Sequence, residues 1–435
     1  SINALYGPPK TRNNVLPFSD SVFITDYEIH GLHKTNEPFI LHRMQFQKNK
    51  WYSAASLNEC IRRAFGTRYY NKITYSLLPD ALNGCKIVFD VEENPLTFAK
   101  IGIHYNSFTG VSLIANLTSR NFLTPYSRSL ITVNVGENLR IRAEHLQTFG
   151  KIKTFSASAS MQAETLKFTT YNNFAKDGLY NRGYFLLDLN ARVTLKRKML
   201  FALGTRFEAF HYKPDITSKF EFRGNNHLFN SYIAFRLNTL SNSIYPKRGT
   251  KLDFEAGYVF SQDPNLQFYY QGNPVTNVDS LGFSFNNFIR TNLNYEHYYP
   301  ISSRLTFSTH IQAGLNFNQK ESYLNNYFIG GLSHTFRNQV TFSGLQEGTV
   351  STSSVAALRF DFRYQFYNNL YLSANANGAY YDFVGSNKNL HNPNFLSGYA
   401  LTMGYNFILG PLEISAMYCD QSKKLLPYIN LGIPF

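Results

Sequence analysis

The sequence predicts an all-β, transmembrane, antiparallel β-barrel of about sixteen strands preceded by one small α+β domain. Three observations carry that expectation. From Pro95 onward no helical periodicity returns, and segment after segment alternates apolar with polar residues. The chain holds 39 Phe and 31 Tyr but a single Trp, with a mean hydropathy of −0.28. Rings in that number without matching Leu, Ala and Val runs are what the aromatic girdles of a membrane barrel supply. Finally, Ile429, Leu431, Ile433 and Phe435 alternate with Tyr428, Asn430, Gly432 and Pro434, so an apolar strand face runs up to the last residue. A closed barrel in lipid pairs the edge of such a strand and gives its apolar face a solvent. The competing reading is a buried strand of a soluble sandwich. No window of 18 apolar residues occurs, which excludes a membrane-spanning helix.

The formal charge is +14, from 42 Lys and Arg against 28 Asp and Glu. That excess suits anionic lipid head groups or a basic lumen. The basic residues are spread along the whole chain without a cluster to track a phosphate backbone, so nucleic acid is not expected as a partner. Cys60, Cys85 and Cys419 have no metal-ligand spacing. Cys60 with Cys85 reads either as a disulfide or as two buried thiols. The sequence contains no secretory signal and starts at Ser1, not Met, so the expectation is a processed or truncated product.

Residues 1–20, rich in Pro, Asn and Ser, read as a tether. Residues 21–95 form the small domain and 96–435 the barrel. In the small domain Val22 to Ile29 reads as a strand, and Asn36-Glu37-Pro38 opens a first helix. Ser56 with Glu59 is read as a capping box for a second helix, which ends at Gly66. Lys72 to Leu78 and Cys85 to Val91 read as two further strands. Sixteen alternating segments follow. In one of them Arg359, Asp361, Arg363 and Gln365 share a face opposite Phe360, Phe362, Tyr364 and Phe366. The connections alternate between tight (Gly150 to Thr154, Arg197, Ser302-Ser303, Asn368-Asn369) and long (Lys213 to Phe229, Gln262 to Leu281, Glu321 to Ser354, Val384 to Leu396). Short turns on one side and long loops on the other are the outer-membrane asymmetry.

The order strand, helix, helix, strand, strand resembles a polypeptide-transport-associated (POTRA) domain, down to Ile29-His30-Gly31, Arg63-Ala64-Phe65-Gly66 and Glu92-Glu93-Asn94-Pro95. The loop with Gly330-Gly331 and Phe342-Ser343-Gly344-Leu345 resembles the inward-folded sixth loop of BamA-like outer-membrane barrels. That resemblance implies an Arg-Gly-aromatic tip bound to the inner wall. Ser343 stands where the arginine would be, so the expected substitute is Arg337, with Asp361 as its partner on a lumen wall of Arg359, Asp361 and Arg363. Ile429, Leu431, Ile433 and Phe435 are expected to form the C-terminal signal read by the barrel-assembly machinery. The turn Ile244 to Gly249 and Leu409-Gly410-Pro411-Leu412-Glu413 make the chain similar to the POTRA-plus-barrel half of Bacteroidetes patatin-like phospholipases.

A patatin site needs a Gly-x-Ser-x-Gly elbow, and none occurs; Gly331-Leu332-Ser333-His334 lacks the closing glycine. No catalytic, cofactor or metal residue is expected in this chain, and His30 with His33 reads as a surface pair. Glu296 and His297 read as part of a periplasmic girdle. Three functions compete. The barrel could anchor and translocate an upstream patatin-like passenger, work alone as an assembly or secretion pore for client polypeptides, or act as a passive anion-preferring porin. Partners expected are outer-membrane lipid, the assembly machinery and a passenger or client, with pairing of two copies left open.

Overall fold

A computed structural model describes residues 21–80, 84–150, 154–196, 198–275, 285–318, 324–335, 337–384 and 394–432. The tether, Arg197 and the last two positions of the expected C-terminal signal, Ile433 and Phe435, lie outside the described residues. The chain divides into two compact units, the first through Leu96 and the second from Thr97.

The first unit runs β1 (Ser21–His30), α1 (Glu37–Met44), β2 (Lys50–Ser53), α2 (Ala54–Phe65), β3 (Tyr70–Asp80) and β4 (Gly84–Glu93), with sheet order β2-β1-β4-β3. Asn36 caps α1 by accepting from Phe39 N, and a proline sits in its first turn. The cap of α2 is Ser53, whose side chain accepts from Ser56 N. The capping box expected at Ser56 and Glu59 is therefore displaced by one turn, and Glu59 instead pairs with Arg62 and Arg63 along the helix. The short β2 was not foreseen, because four residues between two helices carry too little alternation to register. Ile24, Ile40, Met44, Leu57, Ala64, Ile87 and Phe89 make the core. Cys60 and Cys85 are both free thiols.

Glu93 organises the turn after β1. Its carboxylate accepts from His33 N (3.0 Å), Lys34 N (2.6 Å), Thr35 N (2.8 Å) and Thr35 Oγ1 (2.6 Å). Burial raises this carboxyl, and those hydrogen bonds outweigh it, leaving Glu93 below its ordinary 4.5. A depressed carboxyl stabilises the fold above its unfolded value, and that contribution is lost as pH falls through the folded one. In Glu93→Gln, amides of Lys34 and Thr35 should exchange about fivefold faster at pH 7, a discounted ~1 kcal/mol for so exposed a group. The wild type should lose its advantage as pH falls through the lowered pKa of Glu93. Equal exchange in both proteins at pH 7 would sink the assignment.

The second unit is the closed barrel. Its strands are β5 (Thr97–Asn106), β6 (Gly110–Arg120), β7 (Ser127–Gly136), β8 (Leu139–Phe149), β9 (Phe155–Asn172), β10 (Ala175–Leu195), β11 (Met199–Ile216), β12 (Phe220–Asn238) and β13 (Gly249–Tyr270). A short β14 (Asn273–Val275) folds back on β13, and the wall continues with β15 (Phe288–Pro300) and β16 (Leu305–Phe317). Three short strands, β17 (Tyr327–Ile329), β18 (Gln339–Val340) and β19 (Val350–Thr352), form a separate small sheet. The wall ends with β20 (Ser354–Tyr367), β21 (Leu370–Tyr381), β22 (Asn394–Phe407), β23 (Gly410–Cys419) and β24 (Lys424–Leu431). Each wall strand pairs antiparallel with its neighbour, and β24 meets β5, giving a sixteen-stranded cylinder.

Alternation places every second side chain outside. Ile101, Leu203, Ile233, Phe360 and Phe362 point outward and are exposed, while Arg359, Asp361 and Arg363 point inward. Hydrocarbon is the solvent for that outer band. Two long loops expected from the sequence prove to be largely strand. Residues of Lys213 to Phe229 continue β11 and β12, which turn only at Thr217 to Lys219, and Gln262 to Tyr270 continues β13. These extensions stand above the bilayer in water, so their outer positions are polar and the apolar contrast that marks a membrane strand is missing. Inside them Tyr180, Tyr184, Phe210, Tyr212, Phe222 and Phe268 close into an aromatic core. Leu203→Arg, midway up the apolar band of β11, should cost about 2–4 kcal/mol in urea titration of the bilayer-folded protein. A neutral result would mean that this face does not meet lipid.

Candidate functional site: the lumen loop and the strand seam

Residues 318–353, between β16 and β20, are the sixth connection on the side opposite the Thr97 end of the barrel. The described residues of this loop 6, 324–335 and 337–353, fold into the lumen. Gly330, Gly331 and Gly344 hold φ of 134°, 76° and 88°, a region closed to most side chains. A Cβ on Gly344 would lie 2.3 Å from the Tyr418 carbonyl, and one on Gly398 would lie 2.1 Å from the Ser343 oxygen. Loop and wall are therefore in contact backbone to backbone. Phe342 and Leu345 are buried with Tyr327, Ile329 and Val340 against Val355, Ala357, Ala379, Leu396 and Cys419 of the wall.

Polar contacts fix the loop at several heights. Ser343 Oγ donates to Asn375 Oδ1 at 2.6 Å. Gln312 Oε1 accepts from Thr341 N at 2.9 Å and from Thr341 Oγ1 at 2.8 Å. Tyr171 Oη donates to Gln346 Oε1 at 2.8 Å on the far wall. Arg337 pairs with Glu208 of β11 and donates to Tyr184 Oη at 3.3 Å. The partner of Arg337 is thus Glu208, not Asp361. Asp361 is instead taken by Arg359 at 3.0 Å, with His310 Nε2 at 3.1 Å. The loop's path carries Arg337 toward β10 and β11, away from β20, and nothing in the linear order of residues reveals that path. Glu208 was missed for the same reason, although its place on the inward face two residues after Arg206 marks it as a lumen carboxylate.

Below loop 6 the lumen has a floor. The turn before β13 turns inward: Tyr245 stacks on Tyr371 with centroids 4.2 Å apart and donates to Glu413 Oε1 at 3.0 Å. Arg363 lies 5.4 Å from the Tyr245 ring and donates to the Pro246 carbonyl. Glu296 and His297 face opposite ways. Glu296 pairs with Lys251 at 3.5 Å inside, while His297 contacts Thr250 Oγ1 at 2.7 Å and the Tyr299 ring.

The seam is the second element. Among the described residues β24 and β5 share two register pairs, Asn430 with Asn106 and Leu431 with Tyr105. By contrast β5 pairs with β6 from Thr97 to Asn106, and β24 with β23 from Lys424 to Leu431. Tyr428 and Asn430 face the lumen, Ile429 and Leu431 the outside.

A sixteen-stranded barrel with an inward sixth loop, preceded in the chain by a strand-helix-strand-helix-strand-strand domain, defines an outer-membrane protein with a periplasmic POTRA domain. Residues 85–435 match the OMP85 superfamily and residues 22–94 match the POTRA family described as "Surface antigen variable number repeat", so the chain belongs to the OMP85 superfamily. No curated protein matches. Among solved structures the chain is similar to BamA from Haemophilus ducreyi lacking POTRA domains 1–3, with TM-score 0.67 and 12% identity over 94% of this chain and 84% of that one. It is also similar to CdiB from Acinetobacter baumannii (TM-score 0.53, 11% identity, 94% and 74% covered) and from Escherichia coli (0.51, 10%, 98% and 92%). At these identities the likeness is one of fold.

Arg337→Ala leaves Glu208, which is fully buried, without its closest cation. Unfolding in urea should shift by about 3 kcal/mol, and Glu208→Gln in the same chain should recover part of the loss. No change in Arg337→Ala would show that the pair does not hold the loop.

Proposed function

We propose that the barrel moves polypeptide into or across the outer membrane at the β24–β5 seam, and that its cargo is a domain joined ahead of the POTRA domain. The resemblance to patatin-like phospholipases implies a cargo of patatin-like kind. The observation that carries the reading is the seam: among the described residues two register pairs join β24 to β5, while the other wall joins are paired along most of their length. Unpaired strand edges are templates for strand addition and are costly in hydrocarbon, so a join with few described pairs is where the wall would open to accept a strand. The lumen supports a gated path over an open pore, because loop 6 and the Tyr245 turn both fill it.

A second reading has its own support. In the POTRA sheet β3 is an edge strand of eleven residues with Leu77 and Leu78 exposed. Such an edge suits β-augmentation by a separate client in a stand-alone assembly pore.

One experiment separates them. In cells making the full precursor with Cys60, Cys85 and Cys419 replaced by Ser, Tyr105→Cys and Leu431→Cys place a disulfide across the seam. Under oxidation the upstream domain should stay hidden from added protease, and reduction should expose it. Equal exposure in both states overturns the seam reading. A precursor with nothing but a signal peptide ahead of the POTRA domain overturns the cargo and favours the stand-alone pore.

A further inference from the structure

Part of loop 6 reaches the seam itself. Asn106, the last residue of β5, is fully buried, and its Nδ2 shares its two protons among Ser333 Oγ (2.8 Å), Glu347 Oε1 (3.2 Å) and Tyr428 Oη of β24 (2.8 Å). Ser333 Oγ in turn lies 2.6 Å from Tyr428 Oη. Side chains from β5, β24 and two points of loop 6 thus converge on the lumen face of the β24–β5 join. The loop is built to deliver them. Gln339 Nε2 donates to the carbonyls of Gly330 (2.8 Å) and Ser333 (2.9 Å), and a Cβ on Gly331 would lie 2.6 Å from Glu347 Cγ. Ser333 and Glu347, fourteen positions apart, are thereby held side by side.

Glu347 is oddly placed for a residue with only a packing role. Its Oε2 is buried and has no hydrogen-bond partner among the described residues. A carboxyl kept in such surroundings is held there by the contact its other oxygen makes, here to Asn106. Among the described residues the join also has Ser107 N donating to Ile429 O (3.0 Å), Ile429 N donating to Ser107 Oγ (3.0 Å) and His104 Nε2 at 3.2 Å from Asn430 Oδ1. Two of the four clustered groups, Ser333 and Glu347, belong to loop 6.

We propose that Ser333 and Glu347 are positioning residues that clamp Asn106 to Tyr428, so that loop 6 holds the β24–β5 seam closed and its withdrawal frees the join. The use of such a clamp rests on the seam reading above; its existence does not, because it is measured with no client present.

The full chain in lipid nanodiscs is followed by amide hydrogen exchange. In the double variant Ser333→Ala, Glu347→Ala the amides of Ser107 and Ile429 should exchange about tenfold faster, while those of β15 and β16 keep wild-type rates. Glu347→Gln retains the Oε1 acceptor and should stay within about twofold of wild type. Unchanged seam amides in the double variant overturn the clamp. Acceleration spread over all strands overturns it too, by reducing the cluster to general packing. A Glu347→Gln protein as labile as the double variant removes the hydrogen bond as its basis.

Discussion

The architecture depends on sealing a sheet edge that hydrocarbon cannot hydrogen-bond. Sixteen strands satisfy each other side by side, and the cost of an unmet backbone group in lipid makes the last join as necessary as the rest. Among the described residues that join carries two register pairs, Asn106 with Asn430 and Tyr105 with Leu431. Loop 6 and the barrel then have to be understood together, since the loop touches both strands of the join.

The loop can lie where it does because both sides gave up side chains. Gly314 admits the Tyr327 ring, Gly398 admits the Ser343 carbonyl, and Gly344 lets the loop tip rest on β23. Around those contacts the charges sort by reach. Arg337 extends to the tall side of the wall and meets Glu208, and Arg359 stays on β20 and keeps Asp361. Arg363 finds the aromatic floor. Loop 6 and the Tyr245 turn thus occupy a lumen with a polar, charged lining.

Much of this was legible beforehand because period-two alternation is a local property. Phe360 and Phe362 against Arg359, Asp361 and Arg363 declared their faces without any knowledge of neighbours. The inward loop was legible through Gly330-Gly331 and Gly344, which need a backbone that other residues resist. What the order of residues hid was contact at a distance. Glu208 and Arg337 are 129 positions apart, Asn106 and Tyr428 322 apart, and no single chain announces such partners. The strand extensions were hidden for a different reason: once a strand leaves the bilayer both faces can be polar, and turn-forming residues such as Pro214 and Gly224 sit within it.

Those extensions have a geometric outcome. The strands of 18 to 22 residues, β9 to β13, occupy one arc of the ring, and counting strands from the join in either direction arrives at β12 and β13. The cylinder is thus cut obliquely, high at the back and low at the doorway. A strand leaving the wall at the join would do so on the low side of the rim, diametrically opposite the parapet of β12 and β13.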